Sequence, residues 1–211
     1  MNESFENTTS KKGFGSFWKA YSYPAVKLFV TQIVFSIFGL TLSIAAGKSG
    51  NRFLQLFVSI FAVVFFLVMV YTDIFKVGSE DGVRIKGGRL EYDSLTGLKI
   101  GLLAASPDLL LAAVGTLSLF PDGSIPSRIG AVAQMLHLWI QGAYTGILAT
   151  DVGGTPMNAL FWAHFLIIIP MVLVAFGSYI LGAKDKRLTR LLIPENPEEK
   201  EIKREEKKKK G

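Results

Sequence analysis

Phe53 to Tyr71 reads FLQLFVSIFAVVFFLVMVY, an apolar run with no charged side chain. About twenty such residues form a helix that crosses the hydrocarbon core of a bilayer, where each backbone N–H and C=O must be satisfied within the segment. That requirement selects a helix and excludes an open sheet. Three further runs meet it, at about 28–47, 100–120 and 159–181, and only 100–120 contains a charge. With 50% hydrophobic residues, 19% charged residues and no Cys, the composition excludes a disordered chain, a disulfide scaffold and thiolate chemistry. The expected fold class is an all-α integral membrane protein, a four-span transmembrane helix bundle occupying residues 25–182.

Outward from these spans, residues 1–24 form a polar N-terminal tail that ends in an aromatic stripe. Phe14, Phe17, Trp18 and Tyr21 recur at i, i+3, i+4 and i+7 before Pro24 interrupts. The spacing predicts a short helix, either lying in the headgroup layer or packed on the end of the bundle. The run that follows is too long and too far from the N-terminus for a secretory h-region and reads as an uncleaved anchor.

Charge placement sets the orientation. With both termini inside, Lys11, Lys12, Lys19 and Lys27, the basic residues between Lys76 and Lys99, and all of those after Leu181 are cytoplasmic, leaving only Lys48, Arg52 and Arg128 outside. The expected location is the plasma (cell) membrane of a bacterial cell, multi-pass. The net charge of +6 is concentrated in a basic tail over 183–211, which suits solvation and anionic lipid headgroups. No nucleic-acid-binding signature accompanies those lysines.

The external segment 121–157 contains an uncharged stretch, 131–150, in which Gln134, His137, Gln141 and Thr145 share one helical face. It is an amphipathic helix at the interface, a re-entrant segment or a fifth span; a fifth span would carry the basic tail across the membrane. Between spans two and three, the cytosolic loop 76–97 includes Val83-Arg84-Ile85-Lys86, Gly87-Gly88 and Arg89-Leu90-Glu91-Tyr92-Asp93. Alternation around Gly-Gly predicts a β-hairpin. Its polar and aromatic residues Arg84, Lys86, Arg89 and Tyr92 offer a surface to a partner.

Chemistry-bearing motifs are scarce. Gly47-Lys48-Ser49 lacks the earlier glycine and the preceding strand of a phosphate loop, and no nucleophile elbow, zinc-protease pair or dinucleotide fingerprint occurs. His137 and His164 lack further ligands at metal spacing, so no metal and no cofactor is expected. Asp108 stands apart: a carboxylate midway along the third span, directly after Pro107, is expensive in lipid. Gly101, Ala105, Asp108, Ala112 and Gly115 recur at four, three, four and three, a small-residue seam that turns Asp108 toward other helices. Gln32, His137 and His164 are its candidate polar partners.

The sequence favours a structural Asp108 over a functional one, because inverted repeats and paired broken helices are not visible. The expected function is therefore a non-enzymatic accessory or scaffold subunit that presents its hairpin and tail to a protein partner or assembles as a homo-oligomer. The alternative is a small transporter or channel component in which Asp108 binds a proton or cation at the midplane. An intramembrane enzyme ranks below both, since it requires Asp108, His137 and His164 to converge.

Overall fold

A computed structural model describes residues 14–186. Helix α1 runs over Phe14–Lys48 and α2 over Arg52–Lys86, each 35 residues long. At 1.5 Å per residue each is about 52 Å, well beyond a hydrocarbon core of about 30 Å. Helix α3 (Thr96–Gly115) continues into a 3-10 turn over Thr116–Leu119. Helix α4 spans Ile125–Ile140, followed by a 3-10 turn at Gly142–Tyr144 and α5 at Thr145–Leu148. Strands β1 (Asp151–Val152) and β2 (Thr155–Pro156) pair antiparallel, after which Met157–Ala159 forms a 3-10 turn. Helices α6 (Phe161–Leu166) and α7 (Ile169–Ala183) complete the described chain. Four segments are long and apolar enough to cross a membrane: Gly15–Lys48, Arg52–Lys86, Thr96–Leu119 and Phe161–Ala183. The fold is mostly helical, with four helices that could span a membrane.

Two expectations are corrected. Pro24 does not interrupt α1, which continues through it. Contacts on both sides of the proline bind α1 to α2: the Tyr21 hydroxyl donates to Asp81 Oδ2 at 2.7 Å, and Lys27 Nζ lies 2.7 Å from Asp73 Oδ1. Those contacts offset the roughly 3 kcal/mol that an interior proline costs a helix. Of the aromatic stripe, Phe17 and Tyr21 pack against the bundle while Trp18 is exposed. The Phe17 and Tyr21 rings meet at 5.0 Å, tilted by 38°, and Lys99 Nζ sits 5.9 Å from the Phe17 ring centroid.

The cytosolic β-hairpin does not form. Val83 to Lys86 are the last turn of α2, and Gly87-Gly88 is its cap. Gly88 adopts φ +68°, its N–H bonds to Ile85 O, and the Arg89 N–H bonds to Arg84 O at 2.9 Å. Those are the two bonds of a Schellman cap. A four-residue alternation cannot compete with propagation of a helix already nucleated and anchored. The Gly-Gly hairpin lies instead at Gly153-Gly154, where both φ values are positive (61° and 81°), as a type I′ turn requires.

The fourth span runs over Phe161–Ala183 as expected. Ile167 and Ile168, between α6 and α7, keep right-handed helical dihedrals, and the α-helical hydrogen-bond pattern lapses there beside Pro170, which sits in the first turn of α7 and has no N–H to give.

Close packing of small residues holds the bundle together, as expected where lipid removes any hydrophobic drive between helices. A Cβ on Gly78 would stand 2.4 Å from Tyr179 O, one on Gly82 2.6 Å from Ala183 O, and one on Gly182 2.3 Å from Phe75 O. Helices α2 and α7 thus touch backbone to backbone. On α3, Gly97 and Gly101 receive α7 in the same way, and Ala105, Asp108 and Ala112 are buried along that seam.

Candidate functional site

The ends of the bundle are defined by the α1–α2 turn at Arg52 and by the α2 C-terminus at Lys86. Helix α4 starts at the Arg52 end and descends beside α3, since Gly130 abuts Ser118 and Leu117 while Gln141 reaches Asp108. Its 16 residues cover about 24 Å. At its tip Gly142 presses on the Ser36 carbonyl, and the Ser59 hydroxyl donates to Ala143 O at 2.6 Å. The chain then climbs through Gly146, packed on Gln55 O, to Asp151, which pairs with Arg52 at 2.9 Å. The stretch 131–150 therefore enters and leaves the bundle at the same end.

Asp108 lies at the tip of this descending hairpin and is 0% exposed. Helix α3 passes through Pro107, and the Ser106 hydroxyl donates to Leu103 O at 2.7 Å, the carbonyl that Pro107 has no N–H to reach. A carboxylate only accepts, and Oδ2 receives Gln32 Nε2 at 2.5 Å and Gln141 Nε2 at 3.2 Å. Oδ1 makes no hydrogen bond; it faces His137 Nδ1 at 4.0 Å. His137 is also 0% exposed; its ring lies against the backbone of Asp108 and His164, and neither ring nitrogen makes a well-aligned hydrogen bond. Its ring meets that of His164 edge-on at 5.2 Å. His164 Nε2 donates to Asn158 O at 3.0 Å, which fixes its proton there and leaves Nδ1 as an acceptor without a donor. Gln32 Oε1 and the buried Tyr144 hydroxyl are likewise unpartnered.

Of the residues singled out from sequence, Asp108, Gln32 and His137 meet directly, and His164 joins through His137. Sequence reasoning did not assign Gln141 and Tyr144 to this cluster. The signal for Gln141 was present in the stripe it shares with Gln134 and His137. Gln134 itself turns away, donating to Ser118 Oγ at 2.9 Å. Arg84, Lys86, Arg89 and Tyr92 are exposed at the Lys86 end, away from Asp108. Among the described residues, no three His, Asp or Glu side chains group so as to hold a metal ion.

A second buried carboxylate, Asp81, escaped the sequence reading altogether. It accepts from Tyr21 and, at 3.0 Å, from the Tyr179 hydroxyl, with Arg84 Nη1 at 3.5 Å. Two cavities flank these clusters. One of about 260 Å³, lined by Phe17, Tyr21, Thr96 and Lys99, lies near Asp81; one of about 440 Å³, lined by Leu40, Gln134, Leu138, Thr145 and Asn158, lies in the Arg52 half.

The chain matches no protein-family model, no curated protein and no solved structure.

Proposed function

We propose that this protein is a small transporter or channel component of a cell membrane, with Asp108 as the group that binds a proton or cation at mid-depth. The observation that carries the reading is the buried Asp108–His137–His164 cluster, in which Asp108 Oδ1, both His137 nitrogens and His164 Nδ1 make no hydrogen bond. These atoms leave open hydrogen-bonding capacity that a proton, a cation or water can fill, since a buried group left without any partner costs about 1–3 kcal/mol. Such a cost persists where it serves a function.

The surroundings support an ion site. Helix α4 stops half-way through the bundle, and the partial negative charge of its C-terminus attracts a cation to the neighbourhood of Gln141 and Asp108. Helices that end or break at mid-depth are how transporters build coupling sites. In this reading α4 and α5 form a re-entrant pair, and the Lys86 end, with Lys19, Arg84, Arg89 and Lys186, is cytoplasmic.

The scaffold reading rests on the scarcity of catalytic motifs and on a hairpin and tail offered to a partner; of these, the hairpin is helix and cap instead. An enzyme acting on lipid would need the converging triad to touch substrate, and Asp108, His137 and His164 are 0%, 0% and 3% exposed. The test is flux of protons and of monovalent cations into proteoliposomes. We expect uptake by the native chain and its loss in Asp108→Asn. Native-level uptake in that variant removes the role of Asp108. A silent native chain that purifies with a stoichiometric partner returns the protein to the accessory class.

A further inference from the structure

We propose that His137 and His164 relay protons between Asp108 and the Arg52 end of the bundle, so that the Asp108 site is served from that end alone. The inference rests on the transport reading for its purpose, and it narrows the ion to a proton.

The relay begins at the one carboxylate oxygen without a hydrogen bond. Asp108 Oδ2 is held by the Gln32 and Gln141 amides, which cannot take a proton from it, whereas Oδ1 faces His137 Nδ1 at 4.0 Å. That gap is about 1 Å beyond hydrogen-bond reach, so a small ring rotation or one bridging water closes it. His137 and His164 then stand ring to ring at 5.2 Å. The next acceptor is the carbonyl of Asn158, an exposed residue that lines the cavity of about 440 Å³ in the Arg52 half. The groups facing Asp108 and His137 from every packed element are Gln32 on α1, Gln141 on α4, Tyr144 in the turn after α4 and His164 on α6. No Lys or Arg side chain is among them.

Toward the Lys86 end the neighbours change character. Val70, Ile100, Ala104, Met171 and Ala175 are all buried and apolar, and together they separate Asp108 from Asp81. The titratable pair that α1 and α2 carry on that side, Lys27–Asp73, is engaged in its own ion pair at 2.7 Å, with the Lys27 side chain 47% exposed.

The transfer balances. The carboxyl proton on Asp108 Oδ1 passes to His137 Nδ1, the His137 Nε2 proton passes to His164 Nδ1 once the edge-on rings rotate toward each other, and the His164 Nε2 proton passes to water after its hydrogen bond to Asn158 O breaks. Asp108 ends as a carboxylate, one proton has exited, and each ring has exchanged tautomer and resets by rotation. A monovalent metal ion cannot follow this route, since an imidazole N–H cannot pass it on.

Infrared difference spectroscopy on sealed proteoliposomes tests the route independently of flux. The carbonyl band of a protonated Asp108 is assigned by its loss in Asp108→Asn, and vesicle orientation is selected through an Arg128→Cys tag. A pH step applied at the Arg52 end should make the band appear or vanish quickly, and the same step at the Lys86 end should not. His164→Ala should slow the response by about tenfold or more, the equivalent of raising its barrier by about 1.4 kcal/mol. Free imidazole added at the Arg52 end should restore it, which a merely structural histidine would not allow. His137→Gln, which keeps size and polarity, should slow the response without removing the band.

A band that follows the Lys86-side pH, an unchanged rate in both variants, or no carboxyl band at any pH overturns the relay. If the band behaves as expected while no flux occurs, the relay stands and transport falls. If Asp108-dependent cation uptake occurs with no such band, transport stands and the relay falls.

Discussion

Two buried aspartates in this chain are solved in opposite ways. Asp81 is ringed by donors, the hydroxyls of Tyr21 and Tyr179 and the Arg84 guanidinium, and ties α1, α2 and α7 together. Asp108 has two amides on one oxygen and nothing on the other. The first arrangement serves stability, and the second leaves one carboxylate oxygen without a hydrogen bond, as the proposed ion site requires. Tyr179→Phe should therefore lower stability by about 1.5–3 kcal/mol, the range for a hydrogen bond to a charged group, read by thermal or denaturant unfolding in detergent. Asp108→Asn should leave stability close to native, because the amide keeps the shape without the charge. If Asp108→Asn destabilises more than Tyr179→Phe, the division of roles is wrong.

At the scale of elements, the C-terminus of α2 and the hairpin of α4 and α5 each make a sharp prediction. In a Schellman cap only Gly88 needs positive φ, while a type I′ turn needs it at both glycines. Gly87, at φ −82°, should accept alanine, whereas Gly88→Ala should cost about 1 kcal/mol. Equal costs at both positions would restore the hairpin.

The descending hairpin is wedged between α1 and α2 by glycine. A Cβ at Gly142 would lie 2.5 Å from Ser36 O and one at Gly146 2.3 Å from Gln55 O, while Gly177 has open space around it. Gly142→Ala and Gly146→Ala should each cost about 1–3 kcal/mol through overpacking and weaken the Asp108 site, with Gly177→Ala as the silent control. Unfolding midpoints and uptake assays on the three variants read this directly.

For the whole molecule, orientation is the quantity at issue. The described basic residues gather at the Lys86 end, and only Lys48, Arg52 and Arg128 lie toward the other. In a chain without Cys, Arg128→Cys should react with an impermeant thiol reagent in intact cells, and Lys186→Cys only after permeabilisation. The opposite pattern would invert the bundle and place the histidine route on the cytoplasmic side. The basic tail beyond 186 and the first thirteen residues lie outside the described residues, so the anionic-lipid expectation for the tail is tested separately, by vesicle binding of the tail peptide.

Sequence alone determined the membrane class, the four apolar helices and the small-residue seam on α3, because lipid imposes length and internal hydrogen bonding on each segment independently. It also showed a polar stripe over Gln134, His137 and Gln141, since helical periodicity is local. Other features depended on what a segment touches. Whether Pro24 breaks a helix was decided by Tyr21 and Lys27 reaching α2, and whether Gly87-Gly88 turns a hairpin was decided by α2 being anchored on α7 through Gly78 and Gly82. The convergence of Asp108, His137 and His164 comes from three segments far apart in the chain. Only the depth at which α4 stops, fixed where Gly142 meets Ser36, brings Gln141 and His137 down to the carboxylate. That depth is a property of packing between helices, which no single stretch of sequence encodes.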